Sequence, residues 1–272
     1  MKSKISHILA VLIFCLLIPV PAESDITIVG GLTHERMAAR GEGYSGVVFV
    51  KNIGDEVSEA KAYQTDYLFF CDGTSNYGPP GELPRSNAGW ITFSPKRLTV
   101  RPNETVPLNY TVNVPNAEDL NGTYWSVLMV ECIPKSSPEA SGAAKPEGSF
   151  GIRQVFRYGI QLVTHIGNTG STYLKFAKTK LVKDKEKKIL QINIENTGER
   201  MLRPSLWTDL YDQAGNYLGR FEAGRLRTYP GTSVRFTLDL SAVPQGTYKA
   251  LVVADCGGDA VFGATYTLKL EK

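Results

Sequence analysis

Two stretches of this chain are near copies of each other. Residues 122–132 read GTYWSVLMVEC and residues 246–256 read GTYKALVVADC: Gly-Thr-Tyr, an apolar run, then an acid and Cys. The correspondence extends upstream, where GVVFVKNIGDE from Gly46 matches LQINIENTGER from Leu190. Tyr63 follows Asn52 by 11 residues, Trp207 follows Asn196 by 11, and each then reaches an acid, Asp66 or Asp209. RPNETVPLNYTVNVP from Arg101 matches YPGTSVRFTLDLSAVP from Tyr229, each a Pro-led turn before an alternating strand. A duplication with helix signals nearly absent predicts an all-β protein made of two tandem immunoglobulin-like β-sandwich domains.

Each landmark has a role in such a fold. Asn52 with Gly54, and Asn196 with Gly198, supply tight turns through positive φ or bonds back to the main chain. Tyr63 and Trp207 fall where a sandwich places a large aromatic against its opposite sheet. Tyr124 and Tyr248, just after a strand-opening Gly, read as tyrosine corners that pack inward and tie down the preceding connection.

The first residues carry Lys2 and Lys4, an apolar run from Ile8 to Val20, and Val20-Pro21-Ala22, the pattern of a secretory signal over residues 1–22. Domain 1 is then expected over 23–166 and domain 2 over 167–272, in a periplasmic or secreted protein. No apolar run reaches the roughly 20 residues that span a bilayer, so the chain is read as not membrane-spanning. Loss of two lysines takes the formal charge from +3 to +1, which gives no electrostatic reason to seek nucleic acid. After cleavage Cys71, Cys132 and Cys256 remain. Cys71 and Cys132 are expected at opposite ends of two paired strands, too far apart for a bridge.

The first copy is longer, mostly because of DGTSNYGPPGELPRSNAGW over 72–90, read as an ordered excursion pinned by Trp90. With Tyr77 and Trp90 it is a candidate binding loop. PKSSPEASGAAKPEG, over 134–148, reads as a flexible loop. Alternation then begins: Phe150, Ile152, Phe156, Tyr158, Ile160 and Leu162 fall on one side, and Arg153, Arg157 and Gln161 on the other. Thirteen residues make a strand of about 44 Å, long enough to serve a second neighbour.

Pro95, Leu98, Pro102, Tyr124, Trp125 and Ile133-Pro134, followed by a loose loop and the alternating strand, resemble the periplasmic pilus-assembly (PapD-like) chaperones over about 75 residues. The opening GEGYSGVVFVKNIGDE is also similar to surface-associated families that include proteins interacting with WxL cell-wall proteins. The chaperone resemblance implies that the long strand is lent to an incomplete partner subunit, pilin-like or another envelope protein. Phe150, Ile152, Phe156, Tyr158, Ile160 and Leu162 would then fill its pockets. It also implies a basic pair in the interdomain cleft that grips the subunit's terminal carboxylate. The family's seventh-strand lysine aligns here with Gln161, which leaves Arg153 or Arg157 for that strand and Arg36 or Arg40 for the first.

Catalytic motifs are absent: His34 and His165 each stand alone, with no HExxH, CxxC, GxSxG or Gly-rich phosphate loop. Asp72-Gly73 and DCGGD at 255–259 read as turns, and six lysines from Lys178 to Lys188 as a solvated hairpin tip. No enzyme activity, cofactor or metal is expected. The alternative to an assembly chaperone is a structural or adhesive envelope protein that binds a partner or wall polymer through the loops of domain 1.

Overall fold

The computed structural model describes residues 25–134, 155–184 and 187–271; the signal segment, Phe150, Ile152 and Arg153 lie outside them. The described chain is a pair of β-sandwiches. In the first, one sheet has the order β1 (Ile26–Val29), β3 (Gly43–Asn52), β8 (Thr105–Asn113) and β6 (Ile91–Ser94). Its partner has the order β2 (Thr33–Ala38), β10 (Arg157–Ile166), β9 (Gly122–Ile133), β4 (Ser58–Phe69) and β5 (Ser75–Gly78), with β7 (Arg97–Val100) also on β4. The second sandwich sets β11 (Leu174–Asp184), β12 (Lys187–Asn196) and β15 (Ser233–Asp239) against β14 (Tyr217–Arg225), β13 (Ser205–Tyr211), β16 (Gly246–Asp255) and β17 (Val261–Leu270). Pairing is antiparallel except between β2 and β10.

The two sandwiches have separate cores, one including Val48, Leu108, Leu128 and Ile160, the other Ile192, Leu210, Phe236 and Val252. The repeated strands β9 and β16 differ as their sequences do. In β16, Tyr248, Ala250, Val252 and Ala254 are buried while Lys249 and Leu251 face out, the alternation of a sheet with one wet face. In β9 every residue from Gly122 to Glu131 is buried. Its second face is covered too, which is why its sequence is a continuous apolar run.

The Asn landmarks do the same work twice. Asn52 Nδ2 donates to the carbonyls of Glu56 (2.7 Å) and Val100 (2.9 Å), and its Oδ1 accepts from Gly54 N (2.9 Å). Asn196 Nδ2 donates to Arg200 O (2.8 Å) and Thr228 O (3.2 Å), and its Oδ1 accepts from Gly198 N (3.0 Å). The glycines are needed for close approach: a Cβ on Gly54 would lie 2.7 Å from the Asp25 carboxylate, and one on Gly198 2.6 Å from Tyr173 N. The expected positive φ is absent at both positions.

Tyr248 is a tyrosine corner, its hydroxyl donating to Pro244 O at 3.0 Å. Tyr124 instead packs its ring 4.7 Å from that of Trp90. Tyr63 and Trp207 do not face the opposite sheet. Small residues, Ser58, Ala60 and Ala62, hold the inner face of β4, and Tyr63 lies on the outer face with its hydroxyl on Glu131. Trp207 lies beneath the Arg220 guanidinium at 4.7 Å. Cys132 is opposite Ala60 near the start of β4, whereas Cys71 follows its far end, and none of the three described cysteines is in a disulfide.

Candidate functional site

Strand β10 has two faces and two edges, and each is committed differently. Its even-numbered side chains face the first core. Ile160 and Leu162 are fully buried there, and half-buried Tyr158 packs on the same core while donating its hydroxyl to Ile26 O at 2.7 Å. This corrects the expectation that Ile160 and Leu162 project toward a partner: the protein's own core already holds them. Half-buried Phe156 follows Val155 at the start of the described segment, its carbonyl accepting from Cys132 N at 3.0 Å.

That bond sets the direction of every main-chain group along the strand. Phe156, Tyr158, Ile160 and Leu162 turn their N–H and C=O toward β9, and the odd-numbered residues turn theirs the other way. From Gln161 onward the second edge is covered, because Gln161 N donates to Leu32 O at 2.9 Å and β2 runs alongside to Ile166. At Arg157 and Gly159 no described strand covers it. Free-protein hydrogen exchange is therefore expected to alternate: the Tyr158 and Ile160 amides should be protected and those of Arg157 and Gly159 open. Uniform protection would contradict this edge assignment.

Beside the open edge lies a groove of about 270 Å³ lined by Tyr63, Thr65, Tyr77, Met129, Arg157 and Gly159. Its wall is braced by Glu131, which accepts from Tyr63 Oη (2.8 Å) and Arg157 Nε (2.7 Å) and pairs with Lys61 Nζ (3.2 Å). Burial pushes the Glu131 carboxyl up, but the bonds from Tyr63, Lys61 and Arg157 outweigh it and hold it below the usual carboxylate range. Arg157 is thus engaged by an acid of its own sheet. Arg40 donates to Leu120 O, and Arg36 is exposed.

The loop over 72–90 is ordered around Asp66, whose carboxylate accepts from Gly81 N, Leu83 N and Ser86 Oγ. Trp90 packs into the first core, so it pins the loop and is not a displayed binding residue. Tyr77 is 58% exposed and stacks on Tyr67 with ring centroids 4.9 Å apart.

Farther along β10, the odd-numbered face meets the second sandwich. Tyr229 is completely buried and stacks on Trp125 (centroids 4.7 Å, 15°), with Val163 beside them. Its hydroxyl donates to Gln161 Oε1 at 2.5 Å. Arg227 Nη1 donates to Thr33 Oγ1 at 2.9 Å, and its Nη2 lies 3.2 Å from Glu35 Oε1, the oxygen that also takes Arg203. The position aligned with the chaperones' basic anchor is thus occupied: Gln161 is used by Tyr229, and the cations come from the second sandwich. Glu35, Arg203 and Arg227 were not singled out from the sequence, and Trp125 and Tyr229 entered there only as markers of the resemblance and of the repeat. The repeat held one signal, since Tyr229 stands where the first copy has the exposed Arg101.

His165 Nε2 lies 3.8 Å from Glu35 on the same seam. Burial lowers its pKa from the ordinary 6.5 and outweighs the attraction of Glu35; burial lowers that of His34 as well. Below pH 6.5 the unfolded chain takes up these protons before the folded one does. The stability that neutral imidazoles contribute is present above 6.5 and is lost as pH falls through the lowered folded values. Urea unfolding should therefore give lower stability at pH 5.5 than at pH 7.5, and His165→Gln should shrink the difference. An undiminished difference would remove His165 as its source.

Among the described residues no group of three or more His, Cys, Asp or Glu is placed to hold a metal, and no helix is long and apolar enough to cross a membrane. No family model and no curated protein matches the sequence. Solved structures do match. A chain of the CFA/I fimbrial chaperone–tip adhesin complex is 11% identical, with TM-score 0.46 over 90% of this chain and 98% of the other. One from the Acinetobacter baumannii CsuC–CsuE chaperone–tip adhesion subunit complex is 15% identical, with TM-score 0.44 over 89% and 97%. The E. coli chaperone DraB is 12% identical, with TM-score 0.41 over 90% and 98%. Each of these matches runs along about nine tenths of this chain and nearly all of the solved chain.

Proposed function

We propose that this protein is a non-enzymatic, chaperone-like envelope accessory, exported behind the segment 1–22, that binds a protein partner by strand addition during assembly of surface structures. The observation that carries the reading is the open edge of β10 at Arg157 and Gly159, where main-chain groups point away from β9 with no described partner. A strand docked there gains affinity from main-chain bonds and specificity from alternate side chains, which the groove beside Tyr63, Tyr77 and Met129 would accept. The partner strand would lie in line with β2 and end where β2 begins, at Leu32 and the Arg227 side of the seam. The two working units are divided at Gly167, so the seam between them sets the angle at which a bound subunit meets the second sandwich.

Proline at position 157 tests this, because it removes an N–H that has no acceptor among the described residues, and proline is tolerated on an open edge. Arg157→Pro should leave the circular dichroism spectrum unchanged and reduce capture of the envelope partner about tenfold or more, the loss expected when a docked strand loses a main-chain bond and meets the ring. Arg157→Ala keeps the N–H, gives up the Glu131 ion pair and should retain the partner. Equal capture by the Pro variant would rule out strand addition at this edge and shift attention to the Tyr77 loop.

A further inference from the structure

Where the second sandwich meets the seam, Arg200, Arg203 and Arg225 line a pocket of about 220 Å³ whose other walls include Thr172, Cys256 and Gly257. The arginines are brought together by tertiary folding: Arg200 and Arg203 come from the β12–β13 connection, and Arg225 ends β14. Arg225 Nε donates to Arg203 O at 2.9 Å, which fixes the base of its guanidinium and leaves the terminal nitrogens to the pocket. Arg200 has no ion pair and no side-chain hydrogen bond among the described residues. Arg203 reaches Glu35, but that carboxylate also serves Arg227 and faces His165. Asp255, on the strand leading to Cys256, has Oδ1 engaged by Gly257 N at 2.7 Å. Three guanidiniums therefore share one pocket, and among the described residues the one ion pair they make is that of Arg203 with Glu35.

Crowded like charges repel, and a guanidinium's planar fork matches a pair of oxygens on one atom. We propose that this pocket is an anion site for a small multivalent oxyanion, carrying carboxylate or phosphate oxygens, that bridges Arg200 and Arg225 with Arg203 at its back. The oxygens can come from a free ion or from acidic side chains of a bound peptide. The site does not depend on strand addition at β10.

Thermal unfolding of the full chain at constant ionic strength, balanced with sodium chloride, tests it with three probes: inorganic phosphate, citrate and a Glu-rich peptide. For a dissociation constant near 0.1 mM, about 10 mM ligand should raise Tm by about 5 °C. Shifts with phosphate or citrate alone support a free ion, and a shift with the peptide supports a partner-borne acid. Arg200→Gln with Arg225→Gln should fold, since neither side chain is buried, and should abolish the shift; the double Lys variant should keep part of it. A shift that survives the Gln substitutions, or none in the native protein with all three probes, overturns the site.

Discussion

Tyr229→Ala is expected to destabilise the protein by about 4 kcal/mol and to let the two sandwiches move independently. The ring is fully buried, lies nearly parallel to Trp125 at 4.7 Å, and meets Phe69 edge-on at 5.9 Å. Removing a buried aromatic side chain costs about 3–5 kcal/mol through lost transfer energy and the cavity left behind. The same change removes the hydroxyl from Gln161 Oε1. Because this cluster lies between the two cores rather than within either, the loss should appear as broken coupling. Urea unfolding should separate into two transitions, and small-angle scattering should give a larger radius of gyration. Tyr229→Phe keeps the stack and should cost only about 1 kcal/mol, the value of the hydrogen bond. A single transition at the native midpoint for the Ala variant would show that the seam does not couple the sandwiches.

Asn52→Ala and Asn196→Ala are expected to cost about 3 kcal/mol each. Both side chains are completely buried, and each satisfies two carbonyls and one N–H through bonds that are partly or fully buried. Stranding buried main-chain groups costs about 1–3 kcal/mol apiece, and some relaxation of the turns recovers part of that. Since the residues occupy separate sandwiches with separate cores, the double variant should show nearly additive losses. Chemical denaturation of the three variants checks this. A loss confined to one single variant would mean that the repeated Asn pattern is structural in only one copy.

The strand plan was legible because alternation, turn residues and the repeated landmarks are local. Ile160 and Leu162 show the limit of that reading. Their alternation places them on one side of a strand, but no pattern within the strand tells whether that side meets its own sheet's core or a client's. Tyr63 and Trp207 were misplaced for a related reason. Spacing from an Asn located them along a strand without naming the face, and in β4 the inner face went to Ser58, Ala60 and Ala62. Trp90 was rightly read as pinning its loop, but packing against Tyr124 removes it from display.

What the sequence determined by itself is the duplication, the all-β class, the Asn turns and the absence of a bridge between Cys71 and Cys132, all set by spacing along single strands. What only the tertiary structure decided lies between elements: the stack of Trp125 on Tyr229, the sharing of Glu35 by Arg203 and Arg227, and the stretch of β10, at Arg157 and Gly159, that no described strand covers. These depend on where strands far apart in sequence begin and end beside one another. That stretch lacks a described neighbour because β2 starts its pairing at Gln161, and nothing near Arg157 in the sequence records where β2 starts.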